Sequence, residues 1–167
     1  MADIVELIFA DHQWLRQQFF YLDDAKSNDE LQAVWEPLAT RLDTHADAEE
    51  TVFYPALLKK GKAGDPEDET EDAIDDHNKI RDAVAETRKH KVGTKAWFDA
   101  VGQARTENGE HLDEEEREAI PDFIKSATLD LRHELAMKWL AFYHDHPAGH
   151  GVDESDKDAD TYIAENS

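Results

Sequence analysis

HADAEETVFYP at residues 45–55 and HLDEEEREAIP at residues 111–121 decide the fold. Both stretches hold His-x-x-x-Glu-Glu, and in both a proline stands ten residues after the histidine (Pro55 and Pro121). A four-residue step turns a helix to within about 40° of its starting direction, so imidazole and carboxylate leave one face together. Upstream of each stretch stands a second matching pair, DHQWLR at residues 11–16 and DHNKIR at residues 76–81. His12 precedes His45 by 33 positions and His77 precedes His111 by 34. The chain is therefore a disguised duplication. Each half is a helix bearing one histidine followed by a helix bearing His-x-x-x-Glu.

The apolar residues around these positions recur in steps of three and four. Ile4, Ile8, Leu15, Phe19 and Leu22 form a stripe completed by His12. Leu31, Trp35, Leu38, Leu42 and Val52 enclose His45 and Glu49. Ala73, Ile80 and Val84 flank His77, and Trp97, Val101 and Ala104 lead to His111 and Glu115. Nothing reads as a strand. Ser27-Asn28-Asp29, Gly61–Pro66 and Val92-Gly93-Thr94 mark the boundaries, with Ser27 and Thr94 placed to cap the helices that follow. Pro37 is expected to kink or restart the second helix, and Asn108-Gly109 is a weak point in the fourth. Leu131, Leu135, Trp139 and Phe142 outline a fifth helix from about Leu129 to Tyr143. The expected fold is all-α: an antiparallel up-and-down four-helix bundle with an additional C-terminal helix. Residues 1–146 form the domain, and residues 147–167 are expected to be an acidic, flexible tail.

Composition removes several function classes. There is no cysteine, which excludes disulfides, thiolate metal sites and iron–sulfur clusters. Oxygen and nitrogen ligands suit iron, manganese or zinc. Forty acids against 18 bases give a net charge of −22, which repels nucleic acid and anionic membranes. No run has the length and apolarity of a membrane span. The opening MADIVELIFADHQW lacks a basic leader, so a cytoplasmic location is expected.

Six ionisable or polar side chains thus interrupt stripes of Leu, Ile, Val, Trp and Phe. One histidine on an apolar face is ordinarily a hydrogen-bonded core residue, and one His-x-x-x-Glu is ordinarily a surface pair. Six such residues in a two-fold repeat fit neither reading. A buried, unpaired carboxylate is very costly. Two glutamates and four histidines in one core require either a mutual hydrogen-bond network or metal ions, and six ligands serve two ions if the carboxylates bridge.

At these positions the chain resembles the hemerythrin-like (HHE cation-binding) family, whose pattern is His, His-x-x-x-Glu, His, His-x-x-x-Glu on four successive helices. His12, His45, Glu49, His77, His111 and Glu115 fill all six positions, and the resemblance covers about residues 1–146. It implies a non-haem centre of two iron ions with an oxygen-derived bridge, both glutamates as bridging carboxylates, His12 and His45 on one iron, and His77 and His111 on the other. The invertebrate oxygen carriers of this fold have a further histidine one turn before the third-helix ligand, and Ala73 stands there. One iron then has an open or water-filled position, which favours reaction with peroxide or nitric oxide over reversible oxygen storage. Their final carboxylate is an aspartate further along, where this chain has Glu115. Tyr54 breaks the repeat, since Ile120 precedes the second proline. Regular helix geometry puts Tyr54 off the ligand face, but Pro55 disturbs that helix. Tyr54 is therefore either an additional iron ligand or a packing or hydrogen-bonding residue beside the centre.

The expected function is reaction with oxygen-derived species, peroxide decomposition or nitric oxide reduction. The alternatives are a non-catalytic module binding or sensing oxygen, nitric oxide or iron, repair of iron centres, and a purely structural bundle. The partners are small molecules (O2, H2O2 or NO), with the chain a monomer or weak homo-oligomer. His144, His146 and His150 read as solvated tail residues, His90 and His133 as surface or helix-end residues, and Arg16 and Arg81 as salt-bridge partners. Trp14 and Trp97 are expected in the core.

Overall fold

The computed structural model describes residues 1–167, and they are all-helical, with no strand. Helix α1 spans Ile4–Asp24 and α2 Asn28–Ala48. A π-helical segment, Glu49–Phe53, joins α2 without a break to α3, Tyr54–Lys60. Then follow α4 (Pro66–Thr87), α5 (Lys95–Arg117), α6 (Ala119–Ser126), α7 (Leu129–Asp145), a 3-10 turn at Pro147–Gly149 and α8 (Ala159–Asn166). No helix is long and apolar enough to cross a membrane.

Side-chain caps set the starts of these helices. Ser27 accepts from the Glu30 amide at 3.2 Å and Thr94 from the Trp97 amide at 3.3 Å, as their sequence positions suggest. Asp3, Asp65, Thr128 and Asp158 do the same for α1, α4, α7 and α8. Glu67, Asp68 and Glu69 add negative charge to the first turn of α4, where the helix dipole favours it. Between α4 and α5 the chain turns at Gly93, whose φ of 82° suits a residue without a Cβ.

Helix α1 packs on α2, α4 on α5, α2 on α4 and α1 on α5. Their inward faces make two apolar clusters. One gathers Ile4, Ile8, Val52, Phe53, Leu57, Ile74, Ile120 and Phe123, together with Leu135 and Trp139 from α7. The other gathers Leu15, Phe19, Leu38, Leu42, Ile80, Val84, Trp97 and Ala104. On α1, α2 and α4 the histidine falls between a residue of the first cluster and one of the second, and His111 of α5 falls between Ala104 of the second cluster and Ala119 of the first, at the start of α6. The histidines therefore share one layer across the bundle.

Three expectations need correction. Pro37 does not break α2, which runs through it. Both Pro37 and Ala33, whose carbonyl loses its donor, lie on the exposed face, where solvent meets the freed group. Trp14 is only half-buried, with the Arg41 guanidinium 5.8 Å from its ring centroid, whereas Trp97 is buried as expected. The C-terminal segment is docked rather than flexible. Asn78 exchanges two hydrogen bonds with the Lys157 backbone, at 2.7 and 2.9 Å, and Tyr162 is buried against the first apolar cluster. Its acidity hid one aromatic anchor.

Candidate metal centre

All six residues expected as ligands are buried, from 0 to 3% exposed, and lie together in the layer between the two clusters. Glu49 is at the middle. Its Oε1 lies 2.9 Å from His45 Nε2 and 3.7 Å from His12 Nε2. Its Oε2 lies 3.0 Å from His77 Nε2 and 3.4 Å from His111 Nε2. The two carboxylate oxygens thus face separate histidine pairs, one from each half of the duplication. Two groups able to hold a metal ion follow, His12–His45–Glu49 and Glu49–His77–His111, with ligand atoms within 4.8 Å of one another in each. Glu115 approaches from α5 and puts Oε2 3.0 Å from His12 Nε2.

The donor atoms fit a metal better than they fit each other. His12 Nε2, His45 Nε2, Glu49 Oε1 and Glu115 Oε2 are fully buried and make no hydrogen bond, despite their close approach. Buried polar atoms without partners each cost about 1–3 kcal/mol. Four of them converging on one point, each able to present a lone pair once the imidazole protons are displaced, are what a cation would satisfy.

The outward-facing ring nitrogens reinforce this. His12 Nδ1 donates to Glu116 at 2.8 Å, His77 Nδ1 to Glu50 at 2.8 Å, and His45 Nδ1 to Asp11 at 3.2 Å. His111 Nδ1 is 3.9 Å from Asp76. A carboxylate on Nδ1 fixes the tautomer that leaves Nε2 free to bind metal. These four carboxylates also obey the duplication, as Asp11-His12 matches Asp76-His77 and Glu49-Glu50 matches Glu115-Glu116. Each aspartate serves the second histidine of its own half, and each second glutamate serves the first histidine of the other half. Cations hold the carboxylates in turn. Arg16 binds Glu116 at 2.7 Å, Arg81 binds Glu50 at 2.8 Å, and Arg41 with the Tyr143 hydroxyl binds Asp11 at 2.5 and 2.6 Å. The repeat made all four carboxylates visible in the sequence, but not which histidine each would meet.

Electrostatics follow from this crowding. Burial pushes Glu49 toward neutrality, but the surrounding imidazoles overturn that and hold its pKa well below the usual range. Burial likewise opposes charge on His45, yet Glu49 and Asp11 raise it to about 9. Glu50 is buried but falls to about 2 beside His77 and Arg81. Without metal, the centre is a set of compensating charges that a cation enters by displacing protons.

Tyr54 reaches this centre through the π-helical segment. Its backbone N–H bonds to the Glu49 carbonyl five residues back, which rotates Tyr54 toward the face that carries Glu49. The side chain is 0% exposed, and its hydroxyl donates to Glu115 Oε1 at 3.0 Å. Burial, Glu115 and Glu49 all raise its pKa well above that of a free phenol. Pro55 has no N–H for the Glu50 carbonyl in this register, and the Tyr162 hydroxyl donates to that carbonyl instead, at 2.5 Å. In the second half α5 ends at Glu118 (φ −122°, ψ −75°), and Ile120 turns into the apolar core. Of the remaining histidines, His90 bonds to Glu86, His133 to the Ala2 carbonyl and His146 to the Phe142 carbonyl; none belongs to a metal-holding group.

A narrow cleft between α4 and α5, with room for about one water molecule (about 20 Å³), reaches His111, Glu115 and Tyr54. Ala73 forms part of its wall, one turn before His77.

No curated protein and no solved structure matches the chain. The family model for the hemerythrin HHE cation binding domain matches residues 3–123, the span containing all six buried ligand candidates. The chain belongs to the hemerythrin HHE cation-binding domain family.

Proposed function

We propose that this chain holds two non-haem iron ions in an antiparallel up-and-down four-helix bundle and decomposes hydrogen peroxide. The observation that carries the reading is Glu49, whose two oxygens face two separate histidine pairs. His12 and His45 would hold one ion, His77 and His111 the other, with Glu49 and Glu115 bridging. Such a centre supplies two-electron redox chemistry at a place where small oxygen-derived molecules bind.

The chain's own residues support a reactive rather than a sealed centre. Ala73 contributes no ligand, so the cleft runs past it to His111 and Glu115. Tyr54 is a hydrogen-bond donor on Glu115, and its protonated phenol stands where it can orient a small polar ligand. The apolar clusters on either side keep bulk water from the remaining ligand atoms.

The test is metal analysis and the electronic spectrum of the purified protein, followed by peroxide addition with oxygen release monitored. Close to two irons per chain and oxygen evolution support the proposal. Turnover of nitric oxide but not peroxide would assign the centre to nitric oxide reduction. Two irons with no turnover of either would make the chain a binding or sensing module for oxygen, nitric oxide or iron. Absence of stoichiometric metal would end the reading.

A further inference from the structure

We infer that the cleft beside Ala73 is a charge-selective access route, through which cations are drawn to the centre and anions are held back. The inference rests on the di-metal reading above and adds which residues control access.

Glu69, Asp72, Asp76, Glu114 and Glu118 line the cleft above His111, Glu115 and Tyr54, and no lysine or arginine is among its lining residues. Asp76 is paired with Lys79 at 2.9 Å, whereas no lysine, arginine or histidine lies within ion-pair distance of Glu69, Asp72, Glu114 or Glu118. The carboxylates that support the histidines are, by contrast, matched with cations. Acidity alone would be unremarkable on a chain of net charge −22. What makes this group different is where the cleft ends. Glu115, 3% exposed, lies at its buried end, with Oε1 on the Tyr54 hydroxyl and Oε2, which has no hydrogen-bond partner, on the inner side 3.0 Å from His12 Nε2. A cation entering here passes from unpaired carboxylates to an unsatisfied buried one. Low-dielectric walls lined by one sign of charge focus the field and raise the local concentration of counter-ions. Neutral molecules the size of water or peroxide meet no such barrier, while an anion of the same size is repelled.

The test uses the full chain stripped of metal, with Co2+ as the probe and its visible absorption as the signal. The Glu69→Gln/Asp72→Asn/Glu118→Gln variant removes three rim charges and no ligand or ligand-supporting carboxylate. Relief of repulsion should leave it folded, which the thermal midpoint verifies. Loading of the unmodified chain should slow as salt rises from about 0.05 to 0.5 M, since screening shortens the reach of the rim. At about 0.15 M the rim variant should load roughly fivefold more slowly and with a flatter salt dependence, the order of effect for three charges acting on a divalent ion across about one Debye length in water-like dielectric. Azide binding to the loaded protein should show the opposite trend and quicken in the variant. Asp24→Asn/Asp29→Asn, on exposed positions at the far end of the bundle, is the control and should change neither rate. Two Co2+ per chain at equilibrium with identical loading rates and salt slopes in both forms would overturn the access route alone. Equal slowing by the control would reduce the effect to net charge and overturn it too. Failure to bind Co2+ in any form would instead remove the di-metal reading and, with it, this inference.

Discussion

Replacing Glu49 with glutamine keeps the shape of the side chain and removes the charge at the middle of the histidine layer. In the metal-stripped protein, that charge and Asp11 together raise His45 from 6.5 to about 9. A group whose pKa is raised on folding stabilises the fold below its unfolded value and loses that contribution as pH rises through the folded one. His45 therefore supports the stripped protein fully below about pH 6.5, and its support is gone above about pH 9. Linkage between those two values gives a contribution on the order of 2–3 kcal/mol at pH 7. Asp11 supplies part of this, so Glu49→Gln should cost about 2 kcal/mol at pH 7, or roughly 4–8 °C in Tm for a chain of this size. It should also flatten the decline in stability between pH 6.5 and 9. The assay is thermal or urea unfolding of stripped protein across that range, beside metal stoichiometry for the reconstituted form, which should fall below two ions per chain. An unaltered pH profile together with two tightly bound ions would refute the central position assigned to Glu49.

Removing metal should lower Tm, because the ions bind only the folded state; at a hundredfold excess over Kd each site adds about 2.7 kcal/mol, and equal midpoints for stripped and loaded protein would contradict a buried centre. Tyr162→Phe deletes the donor to the Glu50 carbonyl and should cost about 1–2 kcal/mol, read by chemical unfolding; no loss would mean that the C-terminal segment does not support the π-helical turn. Asp43 is raised from 3.8 to about 6, chiefly by burial and then by Glu154, so the fold loses stability as pH rises from about 4 to about 6 and has lost that contribution above it. Asp43→Asn should therefore stabilise the protein by about 1–2 kcal/mol at pH 7 and by little at pH 4, and destabilisation at pH 7 would show that its 3.2 Å pair with Arg88 dominates. Tyr54→Phe should leave metal content near two per chain and change peroxide kinetics through the lost bond to Glu115. A phenolate-to-iron absorption band that disappears in this variant would instead make Tyr54 a ligand.

The buried layer of histidines and glutamates was legible because two periodicities coincide in the sequence. Helical spacing put six polar residues on apolar stripes, and the duplication repeated them. Ser27 and Thr94 were legible as caps because that role depends on a side chain and the amide three residues on. Other features required tertiary information. Asp11, Glu50, Asp76 and Glu116 appear in the repeat, but which histidine each one supports depends on how the helices cross. The π-helical segment left only an indirect mark in Pro55, since no residue type selects a five-residue hydrogen bond. Tyr162 stands in an acid-rich stretch whose composition argues for solvation, and only its partner, a carbonyl deprived of a donor by that proline, explains why the segment docks.

These observations join in one asymmetry. The halves share a pattern of ligands but resolve their prolines differently. The first absorbs Pro55 in a π-helical turn, which brings Tyr54 to Glu115 and hands the Glu50 carbonyl to Tyr162. The second breaks at Glu118 and sends Ile120 into the core. Support for the histidines divides along the same line. Asp11 sits 3.2 Å from His45 and is held by both Arg41 and Tyr143, whereas Asp76 stands 3.9 Å from His111 and is paired only with the largely exposed Lys79. His111 is also the histidine that the cleft reaches. The less firmly held position is thus the one open to small molecules, and the tyrosine that distinguishes the halves lies beside it. Two sets of residues that are equivalent in sequence become unequal through their surroundings, and under the proposed two-ion reading that inequality would let one ion exchange ligands while the other stays enclosed.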